Sequence, residues 1–276
     1  MLEMIKEMLS YQFMVRAVIV GLLVALCASL LGVSMVLKRY SMIGDGLSHV
    51  GFAALAVAQA LNVAPLKIAI PVCIIAAVLL LRISNNSKIK GDSAVAILCS
   101  GSLAVGVMVI SLSSGMNTDV NNYMFGSILS ISSEDAWLTG ILSVVVIILF
   151  VLFYNRIFSV TFDENFARAT GTKAGVYNTI LAVLTAVTVV IGMRMVGALL
   201  ISSLIIFPSL TAMRICRTYR SVMICSVVIS VVSFVAGILI SYGFSTPTGA
   251  SIVCVNFVIF ALGSLLGALT RRKGGK

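Results

Sequence analysis

The chain has 276 residues, of which 60% are hydrophobic and only 10% charged, and its formal net charge is +10. Soluble domains carry about 25% charged residues, so this composition excludes a soluble globular protein. The basic residues lie in short clusters between long apolar blocks, with no basic face, which argues against a nucleic-acid partner and for membrane topology. We expect residues 1–276 to form one transmembrane domain.

The apolar blocks predict an all-α polytopic membrane protein, because about 20 apolar residues in a helix cross the hydrocarbon layer. In chain order, the nine predicted spans cover residues 14–37, 47–61, 66–81, 93–112, 136–154, 176–192, 195–212, 222–242 and 250–269. Residues 123–131 are apolar but too short to cross. Gly192–Arg194 is interpreted as a turn between two spans. If either interpretation fails, eight spans is the alternative.

Orientation follows from the loops. Most of the 19 Lys and Arg residues lie in five loops. With nine spans, all five loops lie on the same side of the membrane. Basic loops face the cytoplasm, so the C-terminus is expected inside and the N-terminus outside. The five loops cover residues 38–39, 82–90, 156–173, 214–220 and 271–276.

The six cysteines are scattered along the chain, nearly all inside apolar blocks, and none forms a C-x-x-C pair. A free cysteine in such a setting behaves as a small apolar residue. We therefore expect these cysteines to be structural.

Asp45 lies four residues before His49, the only histidine of the chain. Residues four apart share one face of a helix, and a carboxylate with an imidazole suits Zn²⁺, Mn²⁺ or Fe²⁺. A transport site needs incomplete ligation so that the ion can leave. The alternative is that Asp45 caps a helix and His49 makes one hydrogen bond inside the bundle. Gly44 and Gly46 flank Asp45 and permit unusual backbone angles and close packing.

The polar stretch at about 156–174 predicts a short cytoplasmic helix. Thr161 could cap it, with Glu164 in the capping-box position, and Gly171 could end it. Phe162 and Phe166 lie one turn apart and would form an aromatic stripe. Such a helix either docks in a groove of a partner protein or lies on the membrane interface.

One proline and one missing motif give two further predictions. Pro208 lies inside an apolar block and should kink or shorten that helix. The chain has no G-x-x-x-x-G-K-[ST] motif, so a Walker-type ATP site is not expected here and another polypeptide would supply ATP hydrolysis.

Four segments together resemble the metal-permease family of ABC importers, the membrane subunits of bacterial zinc, manganese and iron uptake systems. They are Gly44–His49 (GDGLSH), Tyr123–Leu129 (YMFGSIL), Val196–Pro208 (VGALLISSLIIFP) and Thr246–Ala250 (TPTGA). The residues that follow His49 look more like the zinc-type members than the manganese-type ones.

The resemblance implies a homodimer with the fold of the vitamin B12 importer permease in a bacterial cell membrane. A cytoplasmic ATPase dimer and an extracellular or periplasmic metal-binding protein would be its partners. The resemblance implies that Asp45 and His49 face the ion path. It makes the loop with Phe162, Asp163, Glu164, Phe166, Ala167 and Gly171 the helix that contacts the ATPase.

The resulting hypothesis is a non-enzymatic permease subunit that passes a divalent metal, zinc first and manganese or iron next, without holding a resident cofactor. The alternative is a secondary metal transporter that works alone on an ion gradient. Since Lys38 and Arg39 mark the cytoplasmic side, Asp45 and His49 would enter from inside. We therefore expect Gly44 and Gly46 to let the chain re-enter the membrane before the helix begins.

Overall fold

The computed structural model describes residues 10–86, 91–113 and 133–273, and the regular elements in these ranges are α-helices. In chain order they are α1 (Gln12–Leu37), α2 (Ser41–Ala60), α3 (Pro65–Asn86), α4 (Gly91–Leu112), α5 (Ser133–Leu152), α6 (Tyr154–Phe162), α7 (Glu164–Ala169), α8 (Ala174–Val196), α9 (Ala198–Ile215), α10 (Tyr219–Phe244) and α11 (Thr248–Lys273). The predicted all-α membrane fold is confirmed. The apolar segment predicted at 123–131 lies outside the described residues.

By length and composition, 8 helices of the described chain can cross a membrane, namely α1 to α5, α8, α10 and α11. The helix α9 is apolar but shorter, with 18 residues. At 1.5 Å per residue it is about 27 Å long, close to the hydrocarbon thickness of about 30 Å. The eight helices that are long enough match the alternative of eight spans. Counting α9 as well gives the nine spans that the sequence favoured.

The turn predicted at Gly192–Arg194 is wrong. The helix α8 continues through these residues to Val196, and Gly197, with φ 93°, forms the break. A Cβ on Gly192 would lie 2.4 Å from the Cδ1 atom of Ile201, so this glycine serves close packing. Because Gly197 still separates α8 from α9, the order of sides along the chain is unchanged.

Two ion pairs mark the two ends of the bundle. At one end Lys38, which follows α1, lies 3.3 Å from the carboxylate of Glu164 in α7. At the other end Arg194 of α8 lies 2.5 Å from Asp135 at the start of α5. The predicted cytoplasmic loops at 38–39 and 156–173 therefore meet at the same end of the bundle.

The helices differ sharply in burial. Within the apolar window of α2, 72% of the residues are buried, against 11% for α4. The helix α2 packs against α3, α4, α8 and α9, while α1 packs against α5, α8, α9 and α10. The centre of the bundle is therefore built from α1, α2 and α8, and one flank of α4 is left open.

Gly32 sets the approach of α1 to α9. A Cβ added there would lie 2.2 Å from the backbone oxygen of Ile205 and 2.6 Å from Oγ of Ser209. We expect Gly32→Ala to lower stability by about 1–3 kcal/mol, because the two backbones must separate. Thermal unfolding in detergent measures the change. The control is Gly140→Ala, where the added atom meets nothing within 4 Å; equal midpoints for the two variants would contradict the prediction.

Candidate metal site

A three-residue turn leads directly from α1 into the helix that carries the candidate ligands. Arg39 adopts φ 60°, and the N–H of Tyr40 donates to the carbonyl of Met35 at 2.8 Å. The helix α2 then begins at Ser41, with Tyr40 as its N-cap. Asp45 is therefore in the second turn, and its alternative role as the N-cap is wrong.

The predicted re-entrant turn at Gly44 and Gly46 is also wrong. Both glycines lie inside the continuous helix α2, and neither has a positive φ. What they provide is room for packing. A Cβ on Gly44 would lie 3.2 Å from Cδ1 of Ile205 in α9, and one on Gly46 would lie 3.0 Å from Cγ1 of Val95 in α4.

The position of Asp45 along α2 sets the depth of the site. At 1.5 Å per residue, Asp45 lies about 6 Å and His49 about 12 Å along the helix from its first residue. The whole helix of 20 residues is about 30 Å long. The pair therefore lies in the half of the bundle that holds Lys38 and Glu164, and it reaches towards the middle.

Asp45 and His49 do share one face of α2. The Nε2 atom of His49 lies 3.9 Å from Oδ2 of Asp45, and their side chains keep 25% and 40% of their surface exposed. Ser202 of α9 donates a hydrogen bond of 3.3 Å to Oδ1 of Asp45. One oxygen of the carboxylate is thus oriented by α9 while the other faces the imidazole.

Cys99 of α4 joins this pair. Among the described residues, candidate ligand atoms of Asp45, His49 and Cys99 all lie within 4.8 Å of one another, and all three residues are half-buried. The α2–α4 contact brings the thiol there, since a Cβ on Gly46 would be only 3.6 Å from Sγ of Cys99. The cysteine was expected to be structural, and Ser202 was not singled out by the sequence.

The donor set fits a small transition-metal ion. Zinc binds carboxylate oxygen at about 2.0–2.2 Å, imidazole nitrogen at about 2.0–2.1 Å and thiolate sulfur at about 2.3 Å. Ligand atoms of a tetrahedral zinc site are therefore roughly 3.3–3.8 Å apart. The observed separations, 3.9 Å between the two donors on α2 and at most 4.8 Å within the set of three, are close to this spacing.

The loop predicted to be cytoplasmic forms two short helices rather than one. Asp163 separates α6 from α7 and caps α7, accepting a hydrogen bond of 2.9 Å from the N–H of Phe166. The predicted cap, Thr161, is instead inside α6. Gly171, with φ 82°, follows the end of α7 as predicted. Phe162 and Phe166 are exposed, whereas Ala167 is buried.

Glu164 connects this loop to the bundle. Its carboxylate accepts hydrogen bonds from Lys38 at 3.3 Å, Arg168 at 2.6 Å and Asn178 at 2.9 Å. Partial burial acts to raise the pKa of Glu164, but the hydrogen bonds from Asn178 and Arg168 and the charge of Lys38 outweigh it and lower that pKa. Burial lowers the pKa of Lys38, against the attraction of Glu164.

Pro208 lies buried inside α9, which continues to Ile215. The proline has no N–H to donate to the carbonyl one turn earlier. Ser209 and Thr211 donate their hydroxyl groups to the carbonyls of Ile205 and Phe207 at 2.9 and 2.7 Å. At 18 residues, α9 is the shortest of the long helices in the described chain.

The sequence profile of the ABC 3 transport family matches residues 10–267, almost the whole chain. The chain belongs to the ABC 3 transport family. It is therefore a multi-pass membrane permease of the ABC transporter class, located in a bacterial cell membrane, and the resemblance inferred from its motifs is confirmed.

Individual relatives align along nearly their full length. The chain is 29% identical to the manganese transport system membrane protein MntC of Halalkalibacterium halodurans, covering 98% of this chain and 94% of that protein. It is also 29% identical to the high-affinity zinc uptake system membrane protein ZnuB of Haemophilus influenzae, covering 91% and 97%. The two relatives are thus equally similar but are named for different metals.

A solved structure agrees with the fold. The structure of PsaBC from Streptococcus pneumoniae in complex with Fab superposes with a TM-score of 0.85 at 29% identity, covering 95% of this chain and 94% of that chain. The similarity therefore extends over nearly the whole chain.

Proposed function

We propose that this permease is the membrane subunit of an ABC importer that takes up a divalent transition metal, with zinc as its cargo. Asp45 and His49 bind the ion during passage. The observation that carries the proposal is the Asp45–His49 pair, 3.9 Å apart and half-exposed within a membrane bundle. An ionisable residue inside a membrane helix is costly, and the cost reaches about 2.5–3.5 kcal/mol at the helix centre. Such residues mark ion paths.

Zinc is favoured by the chemistry of the donors. Carboxylate oxygen alone suits magnesium, calcium and manganese, whereas imidazole and thiolate ligands suit zinc. Here a nitrogen and a sulfur donor lie within 4.8 Å of one carboxylate. The chain is equally similar to a manganese protein and a zinc protein, so this similarity does not distinguish the two metals. The argument for zinc is therefore the donor set.

A second copy of the chain completes the path. The exposed parts of Asp45 and His49 cannot face lipid, because charged side chains at membrane depth face protein or a water-filled cavity. The helix α4, which carries Cys99, is also the least buried span, with 11% of its window covered. A homodimer that encloses the ion path between two such surfaces satisfies both requirements.

Two further partners follow from this function. A cytoplasmic ATPase dimer supplies the energy and contacts the loop of Phe162, Asp163, Glu164, Phe166, Ala167 and Gly171. The exposed rings of Phe162 and Phe166 suit an apolar groove on that partner. A metal-binding protein outside the membrane delivers the ion to the opposite end of the bundle.

Uptake by reconstituted vesicles tests this function. Vesicles that hold this chain with its ATPase and enclose ATP are expected to accumulate zinc in the presence of the delivery protein. Vesicles that hold the permease alone are expected to accumulate none under a proton or sodium gradient. Gradient-driven uptake without the ATPase would overturn the proposal and favour a secondary transporter.

A further inference from the structure

Cys99 differs from the other cysteines in what surrounds it. Cys27 and Cys73 are buried and donate to the backbone oxygens of Ser143 and Leu47, at 3.3 and 3.7 Å. Cys254 is exposed on α11. Cys99 instead shares a half-buried space with a carboxylate and an imidazole, which is the environment of a ligand rather than of a packing residue.

The approach of α4 to α2 places the thiol there. Gly46 faces α4 between the positions of Asp45 and His49, and a Cβ on it would lie 3.0 Å from Val95 and 3.6 Å from the sulfur of Cys99. A side chain at position 46 would crowd the side chain of Val95. The glycine therefore leaves room for α4 to pack closely beside the two ligands on α2.

We infer that Cys99 is a third ligand of the transported ion and that it determines selectivity, favouring thiophilic Zn²⁺ and Cd²⁺ over Mn²⁺. This inference rests on the proposed function. The metal–sulfur bond forms as the thiol proton leaves to water, so the ion is held by a thiolate, which Zn²⁺ and Cd²⁺ bind strongly. Manganese prefers carboxylate, carbonyl and water oxygens and gains little from this sulfur.

Three ligands from one chain are compatible with transport. Zinc sites that must exchange their fourth ligand keep three protein ligands and one open position, whereas closed four-ligand sites are structural. Asp45 keeps 40% of its side chain exposed, so the open side of the site can admit and release an ion.

X-ray absorption at the zinc edge tests the ligand directly on the whole complex, loaded with less than one zinc per permease. The wild-type spectrum is expected to contain a sulfur shell at about 2.3 Å beside nitrogen and oxygen at about 2.0–2.2 Å. The Cys99→Ser variant is expected to lose the sulfur shell and keep the nearer one, while Cys254→Ser, the matched control, keeps both. A wild-type spectrum without sulfur, or a sulfur shell that persists in Cys99→Ser, would overturn the inference.

Competition between metals tests selectivity. In vesicles holding the whole complex, Cys99→Ser is expected to lower zinc uptake relative to manganese by about 10-fold or more, because loss of an outer-shell partner alone already costs about 10–100-fold in metal affinity. Cadmium inhibition of zinc uptake should weaken in parallel. An unchanged ratio in Cys99→Ser, with uptake still lost in Asp45→Ala, would remove the role of Cys99 and leave the proposed function intact. Normal uptake in Asp45→Ala would contradict both the role of Cys99 and the proposed function.

Discussion

Alanine in place of Asp45 or His49 is expected to abolish metal uptake while the complex still assembles. Their donor atoms lie 3.9 Å apart, so one ion uses both, and each substitution removes one ligand. Loss of a mere outer-shell partner already lowers metal affinity about 10–100-fold, so loss of a direct ligand should reduce uptake to background. Accumulation of radioactive zinc by vesicles that hold the complete complex measures the effect.

Three further variants separate the ligand role from other causes. Asp45→Asn keeps an acceptor for the hydroxyl of Ser202 but removes the charge, and we expect it to lose uptake as Asp45→Ala does. Ser202→Ala removes the 3.3 Å hydrogen bond that orients the carboxylate and a 3.4 Å bond to the carbonyl of Ala198 within α9, but it leaves both ligands in place, so a partial loss is expected. Glu134→Ala, an exposed acid at the start of α5, should be silent. Normal uptake in both alanine variants at Asp45 and His49 would exclude the pair from the ion path.

The sequence predicted the parts of the site that depend on local spacing. Asp45 and His49 share a helix face because they are four residues apart, and this needs no knowledge of the rest of the fold. Cys99 could not be found this way. It lies 50 residues after His49 in an ordinary apolar block, and only the packing of α4 on α2 makes it differ from the other cysteines.

The errors in the helix boundaries have similar causes. Arg194 was interpreted as part of a turn because a charge interrupts an apolar run, yet Asp135, which lies 59 residues away, pairs with it at 2.5 Å. That ion pair lets the helix continue to Val196. The glycines beside Asp45 were interpreted through their backbone freedom, whereas the neighbouring helices use their small size.

The segment α6–α7 illustrates the reverse case, where local rules competed with one another. Thr161 and Asp163 are both acceptable N-caps, and the spacing of Glu164 favoured Thr161. In the structure the N-cap of α7 is Asp163. Glu164 is thereby released from a capping role and can reach Lys38 and Asn178, which are contacts between distant parts of the chain.

Charge reversal at Glu164 is expected to uncouple ATP hydrolysis from metal uptake. This carboxylate connects α7 to Lys38, which lies three residues before the helix of Asp45 and His49, and to Asn178 of α8. A lysine at position 164 places a third cation beside Lys38 and Arg168. The loop should then move away from the bundle, so that motion of the ATPase no longer reaches α2. Metal accumulation and phosphate release, measured in the same vesicles, should show uptake lost and hydrolysis retained.

The stability that Glu164 contributes should be insensitive to mildly acidic pH. The pKa of this carboxyl is lowered in the folded protein from its ordinary value of 4.5. A carboxyl with a depressed pKa adds stability above its pKa in the unfolded chain, and that stability is lost as the pH falls through the depressed value. The difference in thermal midpoint between the wild-type chain and Glu164→Gln is therefore expected to stay constant from neutral to mildly acidic pH. A difference that shrinks near neutral pH would contradict this assignment.

Exchanging the two charges tests whether the Lys38–Glu164 ion pair itself couples ATP hydrolysis to metal uptake. Lys38→Glu and Glu164→Lys should each lose uptake, and the double variant should recover part of it, because opposite charges again occupy the two positions whose native side chains lie 3.3 Å apart. Recovery stays partial because Arg168 and Asn178 also bind the native carboxylate. Pairs in contact typically couple by about 0.5–3 kcal/mol in such cycles. Glu134→Lys, the same change on an exposed acid at the other end of the bundle, should leave transport unchanged; if it fails equally, net charge rather than this contact accounts for the loss.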